Sequence, residues 1–203
     1  AEGPDLPPPA APATPSDRTD RVHVAMALGS SGRPGLDRPC FAPSARLGVA
    51  LGSTTSPRVS LILDLSADLF GKTWASDVPL QLDAIGLVGG LEVRLGNPRL
   101  GFPLWAGAGV RTLTASRGDD TAGGYPLAAA PFVRLGGGIS VEVGKGVRLG
   151  GRAVVGVELV RGDPPIQLQV GEVWDTASRD LLPLSVGGQI EVEIDAQRGQ
   201  TGP

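Results

Sequence analysis

Over residues 58–70 the chain alternates without a break: Val59, Leu61, Leu63, Leu65, Ala67 and Leu69 share one side, and Ser60, Asp64, Ser66 and Asp68 the other. A period of two places successive side chains on opposite faces of an extended strand and excludes an amphipathic helix. The same template fits 21–29, 44–52, 81–95, 102–114, 127–143, 147–160 and 181–194, which makes eight strands. Connections after the second, fourth and sixth strands are tight (53–57, 96–101 and 144–146), whereas the others are longer and richer in Gly, Pro and Asp. Eight alternating strands joined by turns that run long, short, long, short predict an all-β protein, an antiparallel up-and-down transmembrane β-barrel. Each strand reaches the roughly 9–11 residues that a tilted membrane strand needs.

The direction of the two faces separates this reading from a soluble lipocalin-like binder, whose apolar side chains point inward. On strands four to eight, the charged face also carries Gly86, Gly90, Gly107, Gly109, Gly136, Gly138, Gly150, Gly156 and Gly187. Glycine weakens an exposed strand face. In a narrow lumen it leaves room for long side chains, so we expect the charges inside, with Gly making space for Arg, and the Val, Leu, Ile and Ala face toward lipid. Mean hydropathy is +0.08, and no run of 18 apolar residues suggests a transmembrane helix.

The predicted lumen set is Arg46, Asp64, Asp68, Glu92, Arg94, Arg111, Arg134, Glu142, Arg148, Arg152, Glu158, Glu191 and Glu193. Pairing strands two and three around their short turn sets Arg46 opposite Asp64, and pairing six and seven sets Glu142 opposite Arg148. Opposite charges facing one another in two hairpins predict an ion-pair network, because a buried guanidinium needs carboxylates for its fixed donors. Such a network plugs the lumen; a narrow pore or transport conduit, in which pairs exchange partners, is the alternative.

In topology and alternation, residues 21–194 resemble the small outer-membrane barrels of the OmpA and OmpX type. The resemblance implies the outer membrane of a Gram-negative bacterium, surrounding outer-membrane lipid, periplasmic termini and long loops outside. Two departures stand out: aromatic residues are few for interfacial girdles, and AQRGQTGP follows the last strand where an aromatic end is usual. Some such barrels carry a wall-binding domain, and no such module follows the barrel here, so wall attachment is expected to run through a partner.

Composition narrows the remaining chemistry. The first 20 residues hold six prolines and almost no large apolar side chain, which predicts an extended arm, either a tether for a partner or a remnant of signal cleavage. The expected division is 1–20 arm, 21–195 barrel and 196–203 tail. A net charge of −3 with few Lys and no stacking platform argues against nucleic acid as a partner. Cys40, alone, excludes an internal disulfide and a thiolate metal cluster and falls in the first long loop, where a bond to another chain is the alternative to a surface thiol. No metal or cofactor spacing occurs. The single histidine, His23, lies at the start of strand one near the height of Glu191 and Glu193; this suits a rim contact, with pH sensing as its functional reading, rather than a catalytic base. We therefore expect a non-enzymatic structural or interaction protein, contacting a protein partner through the arm or the long loops. Trp74, Tyr125 and Trp174 are candidate surface contacts, with membrane-interface anchoring as the other reading. Arg-Gly-Asp at 117–119 and 161–163 reads as turn material, and IQLQVGEVW at 166–174 as a hairpin extension or a free edge.

Overall fold

The structure, a computed structural model, describes residues 22–33, 36, 38–51, 57–75, 78–97, 99–117, 125–159, 166–170, 173–177 and 184–196. These form β1 (Val22–Gly32), β2 (Cys40–Phe41), β3 (Ser44–Leu51), β4 (Arg58–Ala75), β5 (Val78–Gly96), β6 (Leu100–Arg117), β7 (Tyr125–Gly144), β8 (Val147–Glu158), β9 (Ile166–Val170), β10 (Val173–Ala177) and β11 (Leu184–Ala196). All pairings are antiparallel, β8 pairs with β11, and β11 returns to β1 from Val22↔Ala196 to Gly32↔Val186, closing the sheet into a barrel. β2 and β3 form one interrupted barrel strand. Pro43, which lacks the N–H that a ladder needs, separates them, while Ala42 N still donates to Gly29 O and Ala67 N to Pro43 O. The ring therefore has eight strands, and β9 and β10, which hold the described part of the 166–174 stretch, form a separate two-stranded sheet outside the barrel ladder.

The faces sort sharply. Leu61, Leu87, Val110, Ile139 and Ile190 are each at least half exposed on the outside, while His23, Arg46, Asp64, Glu92 and Glu193 are buried at 0–2% within. This is the surface of a protein solvated by lipid, the inverse of a lipocalin. At the turn end, Gly96 adopts φ 105 and Asn97 Oδ1 accepts from the Arg99 and Leu100 amides; Gly146, at φ 71, forms the turn between β7 and β8.

At the other end the strands outrun the expected boundaries. A long loop was expected after residue 70, yet β4 continues to Ala75 and β5 begins at Val78. The alternation stops at Phe70 because a β-bulge shifts the register between Asp68 and Gly71, with Phe70 at φ 62. Immediately beyond it the phase is reversed, with Gly71 buried and Lys72 exposed. The arm (1–20), the tail beyond Ala196 and residues 118–119 and 161–163 of the two Arg-Gly-Asp sequences lie outside the described residues.

Closure brings backbones into tight contact on the lumen side only. A Cβ on Gly29 would stand 2.0 Å from Gly188 O, whereas one on Gly188, facing outward, would meet nothing within 4 Å. Gly29→Ala should therefore destabilise the barrel by about 1–3 kcal/mol in urea titrations, and Gly188→Ala should leave the midpoint almost unchanged.

Candidate functional site in the barrel lumen

Every second residue of each barrel strand faces the lumen, so side chains far apart in sequence converge there. Eight of them form one chain of alternating charge. Arg134 donates to Asp64 at 2.5 Å; Asp64 lies 3.7 Å from Arg152; Arg152 pairs with Glu191 at 2.7 Å, and Glu191 with Arg46 at 2.8 Å. Arg46 then reaches Glu92 at 3.0 Å, Glu92 pairs with Arg94 at 2.8 Å, and Arg94 donates to both oxygens of Glu193 at 2.5 Å. Members come from β3, β4, β5, β7, β8 and β11, so the chain ties the barrel wall together across its interior. All are at most 8% exposed.

A second cluster lies toward the loop end: Arg111 pairs with Asp68 and, at 3.2 Å, with Glu158, which also holds Arg33. At the turn end, Arg58 bridges Asp195 at 3.3 Å, and Arg148 stands 4.0 Å from Glu142. Polar neighbours fill the gaps. Arg152 donates to Gln189 Oε1 and to Ser44 Oγ, Gln189 Nε2 donates to Ala42 O, and Ser31 Oγ donates to Asp68.

The register expected for the β3–β4 hairpin is the one observed, with Arg46 opposite Asp64. Their ion pairs nevertheless go elsewhere. Arg46 crosses to β5 and β11, and Asp64 to β7 and β8, because guanidiniums reach across a lumen as readily as along a ladder. Glu142 and Arg148 do meet across their hairpin.

His23 is fully buried, and of the two carboxylates expected near it Glu193 lies beside the ring, whereas Glu191 is taken by Arg46 and Arg152 and Glu92 stands in its place. Ligand atoms of His23, Glu92 and Glu193 lie within 4.8 Å of one another, a spacing a metal ion could use. Arg94 already holds both carboxylates, Arg46 holds the second oxygen of Glu92, and Arg58 Nη2 stands 3.3 Å from His23 Nδ1. The cluster is charge-compensated by guanidiniums, which oppose a further cation.

Trp105, Phe132, Arg33, Arg58 and Asp195 were not anticipated. The Trp105 ring lies 5.6–5.9 Å from the guanidiniums of Arg46, Arg134 and Arg152, and Phe132 lies 5.0 Å from that of Arg111. These distances suit cation–π attraction. A sequence signal existed: Trp105 faces Gly136 across the β6–β7 register, and Phe132 faces Gly109. A Cβ on Gly136 would stand 2.3 Å from Trp105 Nε1, and one on Gly156 2.5 Å from the Phe132 ring. The lumen glycines thus make room chiefly for aromatic rings, His23 and neighbouring backbone, and for Arg side chains mainly at Gly86 and Gly101, a correction to the expected role. Arg33, Arg58 and Asp195 stand at strand ends, where alternation carries little information.

Trp74, Tyr125 and Trp174 pair through their backbones with Pro79, Ala115 and Gln169; their side chains lie outside the described residues. Cys40, expected on the surface, is buried beside Gly71, whose added Cβ would lie 2.7 Å from Sγ.

No protein-family model and no curated protein matches the chain. Among solved structures it is similar to Neisserial surface protein A, at 12% identity and TM-score 0.54, covering 86% of this chain and 95% of that one. It is also similar to Ail, the attachment invasion locus protein of Yersinia pestis (11%, TM-score 0.48, 87% and 96% covered), and to the outer membrane enzyme PagL (16%, TM-score 0.43, 85% and 98% covered). The fold is that of the small eight-stranded outer-membrane β-barrels.

Breaking a buried pair strands its partner's charge, at a cost of about 3–5 kcal/mol. Asp64→Asn and Arg134→Gln should each destabilise the barrel on that scale in urea unfolding. A double-mutant cycle should give a coupling of about 0.5–3 kcal/mol for this pair and a smaller one for Asp64 with Arg46, despite their facing positions.

Proposed function

We propose that the protein is a non-enzymatic outer-membrane barrel with a lumen closed by ion pairs, acting as a structural anchor or a component of a multiprotein cell-envelope assembly. The observation that carries this reading is the buried chain from Arg134 to Glu193, which joins strands on opposite sides of the barrel. An eight-stranded barrel has space for side chains and little else. In this reading residues 21–195 form the barrel, both termini face the periplasm, the Pro-rich arm at 1–20 and the tail at 196–203 flank it, and protein contacts run through the arm or the long loops. The single histidine lies in the lumen beside Arg58, Glu92 and Glu193, away from the lipid-facing surface where a histidine base would meet an acyl substrate.

A narrow transport conduit is the second reading. It is favoured by two small cavities of about 20 Å³ in the loop-end half of the lumen, each with room for about one water, which share Ser31, Asp68, Arg111 and Ser185. Purified barrel in planar bilayers separates the two. A closed plug gives a silent bilayer, with conductance appearing in Arg152→Ala; stable unitary conductance of the unaltered protein would overturn the plug.

A further inference from the structure

The β4 bulge changes which residues face the membrane. Up to Leu69 the odd positions of β4 point outward; beyond the bulge Gly71 is buried and Lys72 exposed. An unbulged strand would send Lys72 into the lumen. Phe70 is the single non-glycine residue with positive φ among the described residues, a conformation that costs a phenylalanine what it would not cost a glycine. It turns the ring outward, leaving it 58% exposed.

The neighbouring segment adds a matching pair. Phe41 points outward from β2 opposite Leu69, and a single bridge sets Arg38 directly opposite Lys72, both exposed. Like charges facing each other across a ladder destabilise it unless an anion lies between them. Among the described residues, neither Arg38 nor Lys72 has an ion-pair partner. The nearby Asp83 carboxylate is engaged, accepting from Phe70 N at 2.7 Å and from Gln81 Nε2 at 3.0 Å. The outward face of β4 is apolar from Val59 to Phe70, about one membrane thickness for a tilted strand, and Lys72 is the first charge beyond it.

We infer that Arg38 and Lys72, set over Phe41 and Phe70, form a site for the phosphate of a lipid headgroup in the outer leaflet, with the two rings seated at the boundary of headgroup and acyl chain. The inference rests on the outer-membrane reading above. Native mass spectrometry of the folded barrel in detergent tests it, with lipid A, phosphatidylcholine and inorganic phosphate as separate probes. Lipid A adducts should form on the unaltered protein, fall about tenfold in the double variant Arg38→Gln/Lys72→Gln, and persist in Arg99→Gln/Lys145→Gln, which removes two exposed cations at the opposite rim. Phosphatidylcholine should bind weakly and inorganic phosphate should not compete. Equal lipid A binding by both double variants, or displacement by inorganic phosphate, would overturn the site. A protein with no heat-dependent mobility shift and no bilayer insertion would instead defeat the membrane reading itself.

Discussion

Charge taken out of water must be compensated where it lies, and this requirement governs the interior of the barrel. The described lumen holds Arg33, Arg46, Arg58, Arg94, Arg111, Arg134, Arg148 and Arg152 against Asp64, Asp68, Glu92, Glu142, Glu158, Glu191, Glu193 and Asp195, an equal number of each sign. An exposed ion pair contributes at most about 1 kcal/mol, so scattered surface pairs could be exchanged freely. Here each carboxylate of the central chain except the terminal Glu193 serves two guanidiniums, so a single loss propagates to neighbours on other strands.

Packing follows from the same constraint. Three guanidiniums of the chain gather around Trp105, whose indole face offers attraction without adding charge. That ring fits because Gly136 stands opposite it, and Phe132 fits because Gly156 has no side chain. Lumen glycines and lumen aromatics are therefore two halves of one arrangement, while on the outward face Gly151 and Gly188 touch nothing and are free of this coupling.

Alternation made the faces and most of the barrel legible in the sequence, because period two is set by the backbone and survives any choice of neighbours. The β3–β4 register was legible for the same reason, with a short turn and two patterned strands leaving one pairing that keeps Arg46 and Asp64 inside. The ion-pair partners were not, since register specifies neighbours along the sheet and says nothing of which side chains meet across the closed barrel. Trp105 was not legible, because a lone aromatic among glycines looks like any inward residue until its opposite, Gly136, is known. The end of β4 is not legible where Phe70 breaks the alternation, since a bulge and a strand terminus leave the same mark in a one-dimensional pattern.

The closing strand carries an unequal share of the compensation. Glu191, Glu193 and Asp195 all lie on β11, the last barrel strand in the chain, and they answer Arg46, Arg152, Arg94 and Arg58 from four other strands. Without β11 the described lumen would hold eight guanidiniums against five carboxylates, so the seam between β1 and β11 completes the charge balance of the interior together with the hydrogen-bonded ring.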